Sequence, residues 1–175
     1  MRKEYRKAVR ELFSRRLDEM LPNFHAVKLK SPLLFGGESV FRWAAGGELV
    51  CFVILVPDPK GRQSFTVELG WSGLGRFPEG SSRPTLMLGP DDPDPVDVEE
   101  GIVRLGNLAS RDDSWWDLPD PTLERPGDLR VLQSSMEPID SAIAIGHAEG
   151  PVNAALDVLV QDGHSFLRTW VHART

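Results

Sequence analysis

The 175-residue chain has one cysteine, one tyrosine and four histidines. Cys51 lies inside the apolar run LVCFVILV and reads as a small core hydrophobe. A single thiol excludes both a disulfide framework and a cysteine-based zinc knuckle. The longest apolar stretch, residues 49–56, falls far short of the ~20 residues that a membrane span needs. The opening MRKEYRKAVRELFSRRLDEM lacks the continuous apolar region of a secretory signal, so the expectation is a cytoplasmic protein without membrane contact. Positive charge is not in excess either. Twenty-six acidic against 20 basic residues give a net charge of -6, which argues against nucleic acid as a partner.

The usual signatures of catalysis are also missing. GWSGLG, residues 70–75, has no Walker lysine and no helix to follow it, and it does not form a G-x-S-x-G elbow. His25, His147, His164 and His172 are scattered, and no two have the i, i+4 spacing that puts two imidazoles on one helix face. The acidic run DDPDPVDVEE lacks the glycine and alternating ligands of a calcium loop. No metal and no cofactor is expected.

What is present describes a folded, loop-rich domain: 41% hydrophobic and 26% charged residues, with 14 prolines and 16 glycines to make turns. The length fits a single domain over residues 1–175, with a Gly-, Pro- and Asp-rich insertion at about residues 73–95. Tyr5, Val9, Leu12, Phe13, Leu17 and Met20 recur as one helical stripe that ends before Pro22. Residues 39–45 and 49–56 flank Gly46-Gly47 as a β-hairpin, and the almost wholly apolar second arm predicts a central strand. In residues 63–71, Phe65, Val67 and Leu69 alternate with Thr66 and Glu68, which predicts a core face and an open or solvated one. Residues 102–108 read as a further strand. Residues 139–148 fit strand or helix, and Pro151 is the expected first residue of a C-terminal helix that Asp162-Gly163 interrupts. The expected class is α+β: a central antiparallel sheet of four or five strands with the N- and C-terminal helices packed on one face.

The segment RDDSWWDLPD sets Trp115 and Trp116 side by side among Asp112, Asp113, Asp117 and Asp120. Adjacent side chains diverge by about 100° on a helix and 180° on a strand, so the two indoles cannot share one core. The preferred reading is a helical turn capped by Asp113, with Trp115 and Leu118 inward; in the extended alternative Trp116 and Leu118 point inward and Trp115 outward.

Residues 65–70, residues 104–108, Asp113 with Trp115 and Trp116, and the ending PVNAALDVLVQDGHSFLRTW together resemble a widespread bacterial family known as a domain of unknown function. The resemblance implies a domain extent and no activity or catalytic residue. Two functional expectations follow from the residues. The first is a non-enzymatic protein-binding module, of immunity or adaptor type, that meets a basic partner protein through Asp112, Asp113, Trp115, Trp116, Asp117 and Arg104. The second is a small hydrolase or small-ligand-binding protein that uses Asp112, Asp113 and a histidine in a pocket under the 73–95 loop.

Overall fold

The computed structural model describes residues 1–28, 37–74, 84, 86–87, 94, 97–108, 115–120, 127–130, 133 and 137–175. Its first element is helix α1, Lys3–Met20, which buries Tyr5, Ala8, Val9, Leu12, Phe13 and Leu17. That is the stripe its spacing dictates, except that Met20 at the last turn stays 43% exposed.

Seven strands follow among the described residues: β1 His25–Val27, β2 Ser39–Gly46, β3 Leu49–Pro57, β4 Ser64–Ser72, β5 Leu86–Met87, β6 Glu100–Arg104 and β7 Trp116–Asp117. They form one sheet in the order β1-β2-β3-β4-β6-β5, with β7 also paired to β4 and only β5–β6 parallel. The strand number exceeds the expected four or five because β1, β5 and β7, each two or three residues long, add to it. The β2–β3 hairpin turns at Gly46 and Gly47, whose φ values of 122° and 57° suit glycine. Part of the expected insertion is thus sheet, as β5 lies within it; most of its other residues lie outside those described.

Both faces of the sheet are packed. On the first, Phe41, Val53, Leu69, Val103 and Met87 stand in register across the strands and join the helices in the main core. On the second, Val40, Phe52, Ile54, Val56 and Ile102 form a separate apolar cluster. The expectation that Thr66 and Glu68 face solvent is corrected here: both are buried on the second face. Alternation identified the two faces correctly but not their exposure, because a polar side chain can be buried when it is partnered.

Residues 102–108 are not one strand. β6 ends at Arg104 and the chain turns at once into α2, Leu105–Leu108. The ambiguous 139–148 stretch is helical. Asp140 accepts hydrogen bonds from the backbone N–H groups of Ala142 and Ile143, and from this cap α3 runs Ser141–Val158 with Pro151 inside it. Pro151 is therefore not a helix start. The alanines 144, 148 and 155 make a small-residue stripe with Val152 and Leu156 that lets α3 lie against α1. Two links cross this interface, Tyr5 Oη to His147 Nδ1 at 2.8 Å and Arg16 to Glu149 at 2.6 Å.

At Asp162-Gly163 the helix widens rather than breaks. Residues Leu159–Gly163 form a π segment that continues directly into α4, His164–His172. The widening seats Gly163 against the sheet, where a Cβ would stand 2.8 Å from Leu105 and 3.0 Å from Leu69. α4 buries Leu167 and Trp170. The Trp170 indole donates to the Val98 carbonyl, which also accepts from Trp71 Nε1 and Arg174 Nη2. No described helix is long and apolar enough to cross a membrane.

Candidate functional site

β4 is shared along one edge by two partners. β6 pairs with its second half, from Glu68↔Arg104 to Ser72↔Glu100, and β7 pairs with its start, Ser64↔Asp117 and Phe65↔Trp116. Thr66 and Val67 lie between the two ladders. At this seam the second face of the sheet carries a cavity of about 640 Å³, lined among others by Val56, Ser64, Glu68, Leu86, Arg104 and Trp115.

The double tryptophan is resolved by β7. In register with Phe65, Trp116 faces the first side of the sheet and stacks on that ring at a centroid distance of 5.8 Å and an angle of 22°. Leu118 is buried in the same core. Trp115 and Asp117 line the cavity on the opposite side. The preferred helical turn is thus corrected to the extended alternative. Pro119 follows an extended segment, and ladder bonds to β4, with Leu118 N–H donating to the Gln63 carbonyl at 2.7 Å, outweigh a local cap.

Of the residues singled out from sequence, Arg104, Trp115 and Asp117 come together here. Trp116 does not, and Asp112 and Asp113 lie outside the described residues. Arg104 links the parts: its guanidinium lies 5.4 Å from the Trp115 ring centroid, and its Nε is 3.7 Å from the carboxylate of Glu68, which is 3% exposed. The floor therefore carries a charged pair beside the apolar Val56 and Leu86, with one half-buried indole as a wall.

The turn between β3 and β4 makes the rim. Asp58 accepts from the Lys60 backbone N–H and the Ser64 hydroxyl, and Gly61 at φ 84° completes the reversal. This displays the Lys60 and Arg62 side chains at the cavity, with Glu38 on another wall. Sequence reasoning missed Glu68, Glu38, Lys60 and Arg62. The signal for Glu68 was available, as the lone carboxylate in the otherwise uncharged strand SFTVELGWS.

None of the four histidines lines the cavity. Among the described residues no three His, Cys, Asp or Glu side chains are grouped as a metal ion requires. The Cys51 thiol is distant from catalysis in another sense: burial pushes its pKa up to about 12, so it stays protonated and unreactive.

The chain matches no protein-family model, no curated protein and no solved structure. The functional reading rests on the geometry of this cavity.

Proposed function

We propose that the chain is a non-catalytic binding protein whose small ligand, with a planar apolar part, occupies the cavity at the β6–β7 seam. The observation that carries this reading is the strand geometry of β7, which turns Trp115 and Asp117 together into a cavity floored by the buried Glu68–Arg104 pair. A volume of about 640 Å³ falls within the ~300–1,000 Å³ typical of small-molecule sites. An indole braced by a guanidinium offers a flat apolar wall, while the carboxylates and the Lys60 and Arg62 cations supply a few polar contacts for orientation. Hydrolysis has less support, since the Ser64 hydroxyl faces Asp58 and no imidazole stands by it. The reading as a surface for a basic partner protein is weakened by Trp116, which packs on Phe65 and leaves Trp115 as the sole indole on that side.

Protein-observed NMR with a fragment library tests this, because each of the five tryptophans has its own indole N–H signal. Fragments are expected to shift the Trp115 indole signal together with the backbone amides of Arg104 and Asp117, and Trp115→Ala is expected to lose the amide shifts. Hits that leave Trp115 unmoved, or a library without hits, overturn the proposal.

A further inference from the structure

A second cavity, of about 630 Å³, lies between α1 and the β1–β2 pair. Among the described residues three cations border it: Arg10 and Arg15 from α1, and Lys28 just past β1. Among the described residues none of the three is engaged in an ion pair. Arg6 adds a fourth positive group close by, its side chain lying over Gly37, where a Cβ would stand 3.2 Å from Nη1. The groove also holds two carboxylates, Glu11 and Glu38; Glu11 already has Lys7 at 3.9 Å. On a chain of net charge -6 this is a local excess of positive charge.

The backbone beside the groove has its own unmet capacity. β1 is the terminal strand of the sheet, and among the described residues its outer edge has no ladder partner. His25 and Ala26 on it are exposed. An open edge is a template for an added strand, and cations alongside it select the charge of that strand. Among the described residues Phe41 is the only aromatic lining the groove and is itself buried, so the described lining offers no exposed ring on which a nucleic-acid base can stack.

From this juxtaposition we infer that the α1–β1 groove is a docking site for an extended, acidic peptide segment of a partner protein. The segment adds to the β1 edge through its main chain, and its carboxylates meet Arg10, Arg15 and Lys28. The groove shares one wall residue, Glu38, with the cavity at the β6–β7 seam, but Arg10, Arg15 and Lys28 do not line that cavity, and neither inference depends on the other.

The test uses the whole chain and a fluorescein-labelled octapeptide alternating Glu with Val, followed by anisotropy. Binding is expected, with a loss of about tenfold for each of Arg10→Glu, Arg15→Glu and Lys28→Glu. Raising the salt from about 0.05 to about 0.5 M is expected to weaken binding further. N-methylation of alternate peptide bonds, which keeps the charge and blocks the ladder, is expected to abolish it. All three residues lie on the surface, and unchanged thermal melts confirm that the variants fold. No binding of the octapeptide overturns the inference, as does equal binding of its Lys-for-Glu counterpart or of the N-methylated form. A single-stranded oligonucleotide of matched charge that binds as tightly also overturns it, since the groove then recognises charge alone.

Discussion

Trp115 and Trp116 differ by one position and by a whole face of the sheet. Trp116 is half-buried and packs against the main core, so Trp116→Ala is expected to cost about 2 kcal/mol, whereas Trp115→Ala, which opens a cavity already present, is expected to cost about 1 kcal/mol or less. Denaturant melts of the two variants check the order, and a larger loss for Trp115 refutes the face assignment. His164 offers a second single-residue test. Burial chiefly, and Arg168 in addition, hold its imidazole below the usual 6.5 while it lies 6.0 Å from the Trp43 ring. The unfolded chain then binds the proton more readily than the folded one. His164 accordingly contributes stability that is complete above about pH 6.5 and is lost as the pH falls through its lowered folded value. In His164→Gln the melting temperature is expected to fall less than in the parent between about pH 7 and pH 5. The sequence revealed at this scale that the two indoles must part. It did not reveal which goes inward, because a capped turn and an edge strand share the residues D-S-W-W-D-L-P and only pairing with β4 separates them.

Elements here are fixed by close approaches across their neighbours. Trp71 stands directly opposite Gly101 in the β4–β6 ladder, and a Cβ at Gly101 would run into the Trp71 ring. Gly101→Ala is therefore expected to cost about 2 kcal/mol, a loss that Gly46→Ala must explain differently, by its positive φ in open space. The same ladder ends in the Glu68–Arg104 pair. Arg104→Ala leaves a buried carboxylate behind and is expected to destabilise by about 3 kcal/mol, with Glu68→Gln in the Arg104→Ala background restoring part of the loss. Equal effects of Glu68→Gln in the parent and in the Arg104→Ala background, in chemical melts, show that the two residues are not coupled. Long elements were legible: α1, the hairpin, β4 and the terminal helical stripe all follow from period. The start of α3 was not, because Pro151 imitates a first-turn residue and the true cap, Asp140, stands eleven positions earlier.

At the scale of the molecule, the α+β class and the placement of both terminal helices against the sheet followed from element order, and the apolar run of β3 pointed to cover on both faces, whereas β4 pointed the other way. Polar residues at alternate positions of β4 imitate a solvated side, although Ser64, Thr66, Glu68 and Ser72 are all buried. The seam cavity was half legible for the same reason. Its tryptophan, arginine and one aspartate stood out in the sequence, while Glu68 and the β3–β4 turn needed the fold to bring them near. β3 and β4 have strand neighbours on both sides and apolar packing on both faces. Their amides are expected to exchange with solvent only through global unfolding, and those of β1 by local opening, in native-state hydrogen exchange.

The pairing of α1 with α3 also sets the order of events during synthesis. Tyr5, Val9, Leu12, Phe13 and Leu17 leave the ribosome well before the helix that covers them, which starts at Ser141. At roughly 10 residues per second, the intervening stretch of about 120 residues takes on the order of ten seconds to emerge. For that interval the nascent chain displays a greasy stripe flanked by arginines and lysines, the kind of segment that chaperones hold. Docking of α3 onto α1 then has to follow release from such a holder.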